Sequence, residues 1–472
     1  MANQHESRTP EEQAAVSAFL SSKGGIWTAH PPNYSEFSRK QLLQNLDDVL
    51  EAVTLETDAN LVGVKQAYLD SQTFIHASFD FFEGRRDLGR PVARAFCVPM
   101  RSSRSDDTTA SESTPFISLY DPERFGVTSE KRMRGFYGLP PTVLDAYTRS
   151  DEDDESGALV LTPLYADMLK DVWPDRTNVE QAGRAATIAS AVLRETVKFA
   201  HQRLGAKVLG LGATLPHPTI TNFGQKLHAI EGIRDLITTT GHGGTVFMIV
   251  KTIEKVLAET SIQSNGRIGL IGGAGSIGWS TTVAVLEAMH DHTVCSYDKR
   301  IVDLKQHASV QKRVCVASSI AEVLRTTNVI VAAVTERIDL DDESLGEIDL
   351  NGKVIIDDSQ PGSFCRNQVE ARGGRLVWVV GEDGSESRYI TRDGLHTNGI
   401  PYNYGDTAGL FGPASEFACG QEAAAIARYR AYDHAVTGPV TPSDVRNVGR
   451  LLVETGVQVA PFQSFGQPVV FD

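Results

Sequence analysis

A run of glycines between a predicted strand and a predicted helix constrains the fold of this chain more than any other feature. The apolar run Ile268–Ile271 is followed by Gly273, Gly275 and Gly278, spaced as GxGxxG, and then by an amphipathic segment. Glycines at this spacing permit a tight turn, let a pyrophosphate approach the backbone and let the helix pack closely on the strand. The pattern therefore predicts a Rossmann nucleotide-binding unit from about residue 267 to about residue 380.

Short β-branched runs alternate with helical segments throughout that unit. They are Ile268–Ile271, Val294–Tyr297, Val314–Val316, Val329–Val334, Val354–Ile356 and Leu376–Val380. This alternation is typical of a parallel sheet covered by helices on both faces. The predicted fold class is α/β, with a Rossmann-type doubly wound parallel sheet inserted in a mostly helical substrate domain, plus an N-terminal α+β extension.

Four parts are predicted along the chain. Residues 1–114 form the N-terminal extension, which ends in the Ser/Thr/Asp-rich stretch Ser102–Thr114. Residues 115–262 form the first part of the helical substrate domain, and residues 263–394 form the Rossmann domain. Residues 395–472 supply C-terminal helices that return to the substrate domain.

Apolar residues at helical spacing support the helical prediction for the middle part. They recur in three segments, which are Thr177–Leu204, Leu227–Ile237 and Thr245–Leu257. Between the first two, Lys207–Leu211 is a short apolar run that predicts a strand.

The residue that ends the second Rossmann strand bears on the choice of cofactor. Asp298 lies twenty residues after Gly278, where a carboxylate accepts hydrogen bonds from both hydroxyls of a ribose. Lys299 and Arg300 follow directly and would attract a 2′-phosphate instead. The sequence favours NAD(H) and leaves NADP(H) open.

Further cofactor contacts are expected at the helix N-terminus and at the strand ends. The backbone N–H groups of Ser276, Ile277 and Gly278 lie in the first turn, which attracts phosphate. Ligands of such sheets lie outside the carboxyl ends of the strands. We therefore expect the nicotinamide beside Ala333, Val334 and Thr335, which end one strand.

Two loops add candidate polar groups. Asp357 ends a strand, where it either positions substrate or nicotinamide or has an ordinary loop role. Thr238–Gly244 leads into a helix, and its small residues would leave backbone N–H groups open to a ligand or would simply form a turn. His242, in this second loop, is a candidate for proton transfer.

Composition narrows the classes of function. A formal net charge of −15 disfavours nucleic acid as a partner. The five cysteines form no CxxC pair and predict reduced thiols with no metal site. No basic-then-apolar leader and no run of about 18 apolar residues occurs, so we expect a cytoplasmic protein with no membrane span.

Several ordered segments together resemble the long-chain acyl-(acyl-carrier-protein) reductases, which form fatty aldehydes. Apart from the glycine motif, the segments are Leu139–Asp145, Gly210–Thr214, Thr221–Phe223, Thr239–Thr245, Val354–Asp357 before Pro361, and Ala414–Glu416. The resemblance covers about three quarters of the chain, from about residue 115 to 465. It implies a Rossmann domain inserted in a helical substrate domain, and hydride transfer from a nicotinamide to an activated acyl group.

In that family a cysteine shortly after the last Rossmann strand forms an acyl-thioester. The corresponding loop here, Arg388–Phe411, contains no cysteine. It contains His396 and Tyr402, which join His242 and Asp357 as the candidate catalytic residues. A histidine would donate a proton as the hydride arrives, but it would not store an acyl group.

Three hypotheses follow. The first is an NAD(P)-dependent oxidoreductase that acts on a carbonyl, imine or acyl compound, either a small molecule or one bound to a carrier. The second is an acyl-thioester reductase that uses Cys365 or Cys419 as the nucleophile. The third is a protein that binds nicotinamide nucleotides without catalysis and senses their redox state. The sequence leaves a homo-oligomer open.

Overall fold

The computed structural model describes several stretches of the chain. The described residues are 34–56, 61–100, 119, 138–148, 156–165, 179–359, 362–383, 390–391, 415–464 and 467–471. The helices are α1 Glu36–Glu56, α2 Leu61–Phe82, α3 Val179–Lys198, α4 His242–Glu259, α5 Ser276–Ala288, α6 Ile301–Ala308, α7 Ile320–Thr326, α8 Arg366–Ala371, α9 Ala418–Arg428 and α10 Pro442–Glu454. The strands are β1 Arg94–Met100, β2 Thr142–Thr148, β3 Gly157–Tyr165, β4 Val208–Leu211, β5 Ile237–Thr239, β6 Arg267–Ile271, β7 Thr293–Tyr297, β8 Val314–Val316, β9 Val329–Ala332, β10 Val354–Asp357, β11 Arg375–Trp378, β12 Val380–Asp383, β13 Ile390–Thr391, β14 Ser415–Phe417, β15 Val457–Val459, β16 Gln463–Ser464 and β17 Gln467–Pro468.

Six parallel strands form the sheet that contains the glycine motif, here called sheet B. Their order is β11–β10–β9–β6–β7–β8, and every neighbouring pair is parallel. The chain proceeds outward from β6 to β8, then returns to β9 on the other side of β6. The winding direction therefore reverses between β6 and β9. The predicted Rossmann-type doubly wound sheet is confirmed, and ligands of such sheets bind where the winding reverses.

A second six-stranded sheet, here called sheet A, takes five strands from the part of the chain before the glycine motif and one, β13, from after it. Its order is β13–β2–β3–β1–β4–β5. The four strands β3, β1, β4 and β5 are parallel, whereas β2 and β13 run antiparallel to their neighbours. Strand β1 precedes residue 114 and lies between β3 and β4. The segment predicted as an N-terminal extension thus shares one sheet with the segment predicted as a substrate domain.

The structure differs here from the prediction of a mostly helical middle part. The strand predicted at 207–211 is present as β4, and the helix predicted at 245–257 lies within α4. The helix predicted at 227–237 is instead a 3-10 turn, Gln225–Ala229, followed by a loop and β5. Gly232 interrupts the segment with a φ of +85°, a left-handed conformation that ends helical hydrogen bonding.

The C-terminal helices pack against both sheets. Helix α9 lies on β1 and β4 of sheet A, and α10 packs against α4 and α5. Gly210 of β4 makes room for the ring of Phe96, which a Cβ there would overlap, and for α9, because the same Cβ would lie 3.0 Å from the Cβ of Ala423. A small sheet, β14–β12–β15, joins the end of sheet B to the same region. The C-terminal segment therefore contacts the N-terminal half of the chain.

None of the helices in the described stretches is long and apolar enough to cross a lipid bilayer.

Candidate functional site

Helix α4 connects the two sheets and places their carboxyl edges together. It begins two residues after β5 of sheet A, and the chain that leaves its C-terminus enters β6 of sheet B. Gly241, directly before α4, packs against Cys419, and Cys419 also lies near Asp358 after β10. The N-terminus of α4 therefore lies near the carboxyl edge of sheet B. We call this region, where Gly241 and His242 at the start of α4 lie near the strand ends of sheet B, the inter-sheet site.

The glycine loop has two positions that the fold requires and one that it leaves open. A Cβ on Gly273 would collide with Ser296 Oγ, and a Cβ on Gly278 would collide with the carbonyl oxygen of Gly272. A Cβ on Gly275 would meet nothing closer than 3.3 Å. Gly273 and Gly278 are thus required by the packing of the loop, whereas the space above Gly275 would hold a Cβ in a tight contact without overlap.

Helix α5 begins directly beneath that space. Its N-cap residue, Gly275, has no side chain to cap the first-turn N–H groups, which belong to Ser276, Ile277 and Gly278. The hydroxyl of Ser276 accepts the N–H of Val440 at 3.2 Å, so this side chain fixes the C-terminal segment beside the helix. The backbone of the first turn is the part of α5 suited to hold a phosphate.

Asp298 shapes the glycine loop. One carboxylate oxygen accepts the N–H of Ala274 at 2.9 Å and the other accepts the N–H of Arg300 at 2.8 Å. Each oxygen keeps a second lone pair, so the predicted ribose contact stays a prediction. Lys299 forms an ion pair with Glu336 at 2.9 Å, which links the loop after β7 to the loop after β9.

The predicted nicotinamide-side residues lie beside the glycine loop. The N–H of Ala333 donates to Ile271 O at 2.9 Å, which extends the pairing of β6 and β9. The carbonyl oxygen of Ala333 and a methyl group of Val334 flank Gly272, which has a φ of +95°. Thr335 is exposed one residue further along.

Asp357 is used entirely by its own loop, which corrects the expectation that it positions substrate or nicotinamide. It is fully buried. Its carboxylate accepts the N–H groups of Ser359, Ser363 and Phe364 at 2.9, 2.7 and 3.1 Å, and the hydroxyl of Ser363 at 3.0 Å. Burial raises the pKa of Asp357, and these hydrogen bonds oppose that shift. The carboxylate orders the turn after β10, and its four hydrogen bonds leave no oxygen available to a ligand.

The next residue, Asp358, is available instead. Among the described residues no group donates a hydrogen bond to its carboxylate, and its side chain is partly exposed. Its backbone N–H donates to Ala332 O at 3.1 Å, so the residue continues the register of β10 along β9. The sequence places both aspartates at the end of a strand, but two adjacent aspartates give no indication of which one turns into the loop.

His242 is the first residue of α4 and is buried, with 9% of its surface exposed. Its Nδ1 has no hydrogen-bond partner among the described residues. Its ring meets the ring of Phe223 edge-on at 6.0 Å. Burial lowers the pKa of His242 to about 4, so the imidazole is neutral at physiological pH. A neutral ring with a free nitrogen is suited to exchange one hydrogen bond with a ligand.

The carboxylate of Glu422, on α9, binds the N-terminal turn of α4. This residue was not predicted from the sequence. The hydroxyl of Thr239 donates to Oε1, and the N–H of Gly244 donates to Oε2 at 2.6 Å. The loop Thr238–Gly244 was expected either to offer its N–H groups to a ligand or to form a turn, and for Gly244 this internal carboxylate takes the N–H. The only sequence signal was one acidic residue on the alanine-rich buried face of α9.

Cys419 lies at the centre of the inter-sheet site. A Cβ on Gly241 would overlap the side chain and backbone of Cys419, and Cys419 packs against the cores on both faces of sheet B. Burial, together with the nearby carboxyl groups of Asp358 and Glu416, raises the pKa of its thiol. The thiol is therefore protonated at neutral pH.

The remaining candidates lie elsewhere. Cys365 is buried at the N-cap of α8, the helix that follows the loop ordered by Asp357. His396 and Tyr402 lie outside the described residues. Within the described stretches, no three His, Cys, Asp or Glu side chains are grouped so as to hold a metal ion.

Comparisons with known proteins give only partial structural likenesses. No family model and no curated protein matches the chain. A dipicolinate synthase structure from Bacillus halodurans is 16% identical over 39% of this chain and 61% of its own, with a TM-score of 0.27. Shikimate 5-dehydrogenase from Thermus thermophilus, in complex with NADP(H) and shikimate, is 13% identical over 76% of this chain and 99% of its own, with a TM-score of 0.30. L-tryptophan dehydrogenase from Nostoc punctiforme is 8% identical over 64% of this chain and 68% of its own, also with a TM-score of 0.30.

This chain spans about three fifths of the length of two dipicolinate synthase structures that it matches, one from Bacillus halodurans and one from Bacillus subtilis. The resemblance to acyl-(acyl-carrier-protein) reductases stays a prediction.

Proposed function

We propose that the chain is an NAD(P)-dependent oxidoreductase that transfers a hydride to or from a carbonyl, imine or acyl compound at the inter-sheet site. The observation that carries the proposal is the glycine loop, in which Gly275 leaves the start of α5 without a side-chain cap and a Cβ there would make a tight contact, but no overlap, with the carbonyl oxygen of Gly272. A fold that needed only a tight turn would require Gly273 and Gly278, but it would not require a glycine at 275.

The residues around the loop fit a dinucleotide. The first-turn N–H groups of α5 would hold the pyrophosphate, and Asp298 would accept the ribose hydroxyls while it holds the loop. Ala333 and Val334 would flank the nicotinamide half. The nicotinamide ring supplies or accepts a hydride at the strand ends. Asp298 favours NAD(H), and the exposed Lys299 and Arg300 keep NADP(H) as the alternative.

His242 would orient the substrate from the side of sheet A. Since its imidazole is neutral, it would donate its N–H to a carbonyl or imine group and would not act as an imidazolium acid. The low pKa suits this role, because a neutral ring does not repel a positively charged nicotinamide.

The cofactor proposal is tested by two matched glycine variants. Gly275→Ala should keep the free energy of unfolding within about 1 kcal/mol of wild type, because a methyl group nearly fits. It should weaken nucleotide binding at least tenfold. Gly278→Ala should lower stability, because its Cβ meets a backbone carbonyl that cannot move aside.

Calorimetric titration with NADH and NADPH, together with thermal unfolding, measures both effects and the cofactor preference. If the wild-type chain binds neither nucleotide, or if Gly275→Ala binds as tightly as wild type, the proposal is wrong.

The position of Cys419 favours a second candidate, the acyl-thioester reductase. In that reaction the sulfur would bond to the carbonyl carbon of a thioester, the bond to the leaving sulfur would break, and the thiol proton would pass to the leaving thiolate. The raised pKa of Cys419 opposes it, since a thiolate is the nucleophile.

Intact-mass spectrometry after incubation with a long-chain acyl-coenzyme A would detect the acyl adduct. An adduct that disappears in Cys419→Ser and persists in Cys365→Ser would establish the second candidate. We expect no adduct on the wild-type chain.

A further inference from the structure

The two adjacent aspartates after β10 lie on opposite faces of sheet B. Along β10, Ile355 packs in the core on one face, whereas Val354 and Ile356 pack in the core that includes residues of α4 and α9. Because side chains alternate along an extended strand, Asp357 follows the face of Ile355, and Asp358 follows the face of Ile356. The carboxyl group of Asp358 is thus directed to the side of the inter-sheet site.

The surroundings of Asp358 are acidic and hold no cation for it among the described residues. On α9 it faces Cys419, and near that thiol lie Glu416 and Glu422. Glu416 is paired with the buried Arg94 of β1 at 3.1 Å, and the oxygens of Glu422 are held by Thr239 and Gly244. On its own segment the neighbouring titratable group is Asp357. Of the carboxyl groups in this region, Asp358 is the one that has no hydrogen-bond donor or cation as a partner among the described residues.

Burial and the neighbouring Asp357 raise the pKa of Asp358 well above its ordinary value. The group therefore keeps its proton to a higher pH than a surface aspartate does, and a nearby positive charge would release that proton.

The unpartnered Nδ1 of His242, on a side chain more than nine-tenths buried, independently indicates that a ligand enters the same region. Two polar groups without partners among the described residues therefore border the inter-sheet site, one at the start of α4 and one at the end of β10.

We propose that Asp358 is the counter-ion of the oxidised nicotinamide ring, so that the chain binds the oxidised cofactor with release of a proton and the reduced cofactor without it. This inference rests on the proposed function. The oxidised ring carries a positive charge and the reduced ring is neutral, so only the oxidised form gains from an ionised carboxylate at the strand end. Asp358 thereby couples the protonation of the site to the redox state of the cofactor.

The test compares oxidised and reduced nucleotide across pH on the full chain. Calorimetric titrations with NAD⁺ and NADH, or with NADP⁺ and NADPH if those bind more tightly, are made between pH 6 and pH 9. We expect the affinity for the oxidised form to rise about tenfold with pH, which corresponds to one unit of pKa shift. The affinity for the reduced form should change less than twofold.

Asp358→Asn should remove the difference in pH dependence between the affinities for the oxidised and the reduced nucleotide. Asp291→Asn, an exposed substitution with the same loss of charge, should retain that difference. Titration of the wild-type chain in two buffers of different ionisation enthalpy counts the protons released and does not depend on whether a variant folds. Proton release equal for both redox forms, or unchanged in Asp358→Asn, overturns the inference while the proposed function stands. Binding of neither form overturns the proposed function itself.

Discussion

Buried carboxyl groups at the inter-sheet site differ in role because their partners differ. Asp357 accepts four hydrogen bonds from its own loop, and Glu422 accepts one from the end of β5 and one from the start of α4. Asp358 accepts none from the described residues. Only the last of these is available to a ligand. Counting the donors around each carboxylate therefore separates the groups that hold the fold from the group that is suited to chemistry.

Glu422 should make stability depend on pH. Its pKa is raised by burial from 4.5 to about 7, so between these values the folded chain binds a proton that the unfolded chain has released. Stability is therefore fully present below about pH 4.5 and falls as pH rises to about 7, by about 3 kcal/mol. Glu422→Gln, which keeps an acceptor for Gly244 and offers a donor to Thr239, should abolish this fall.

Urea unfolding at pH 5, 6, 7 and 8 measures the effect, with the exposed Glu454→Gln of α10 as the control. A Glu422→Gln variant whose stability falls with pH as steeply as that of the control would show that Glu422 is not the responsible group.

Spacing in the sequence identified some site residues and missed others for a physical reason. Gly273, Gly275 and Gly278 were predictable because a turn between a strand and a helix accepts few other residues. The spacing could not show that Gly275 alone would admit a Cβ without overlap, since that depends on what lies opposite each Cβ. Glu422 could not be found from its neighbours, because its partners at the end of β5 and the start of α4 lie about 180 residues earlier in the chain.

At the scale of elements, the N-terminal end of α4 packs against the side of α9 at the inter-sheet site. Strand β1 is joined to the start of α9 by hydrogen bonds. Arg94 of β1 donates to Glu416 at 3.1 Å and to the carbonyl oxygen of Gly420 at 3.0 Å. These contacts join a strand of sheet A to the start of α9. The position of Cys419 and Glu422 thus depends on a residue more than 300 positions away.

Loss of Arg94 should therefore weaken the whole contact. Its side chain is 4% exposed and that of Glu416 is 17% exposed, so Arg94→Met leaves a largely buried carboxylate unpaired. We expect a loss of about 3 kcal/mol in the free energy of unfolding. Arg446→Met breaks the exposed pair with Glu287 and should cost less than about 1 kcal/mol. Equal midpoints of denaturant unfolding for the two variants would contradict a supporting role for Arg94.

The strands of sheet B were predictable from the sequence, and most of sheet A was not. Sheet B has short β-branched runs separated by helices, a pattern with few alternatives. Strand β3, Gly157–Tyr165, is a continuous apolar run, and such a run fits a strand buried on both faces or a buried helix equally well. Its parallel partner in sheet A, β1, ends more than 50 residues earlier at Met100, so no local pattern joins the two strands.

At the scale of the molecule, the structure sets two sheets with their carboxyl ends toward one site. A single glycine motif predicted one of these sheets and the place of a cofactor in it. The partner sheet, which brings His242 and Thr239 to the site, adds the side from which a substrate would be held. The arrangement depends on the length of α4, which no motif specifies but which the helical periodicity of 245–257 partly indicated.

Helix α9 closes over β1 and β4 late in the synthesis of the chain. Strand β1 ends at Met100 and α9 begins at Ala418, so roughly 320 residues (418 minus 100) are translated in between. At about 5 to 20 residues per second, this takes roughly 15 to 60 s. During that interval the apolar face that α9 will cover stays exposed on the ribosome, and a chaperone that binds nascent apolar strands would have time to act before the site can form.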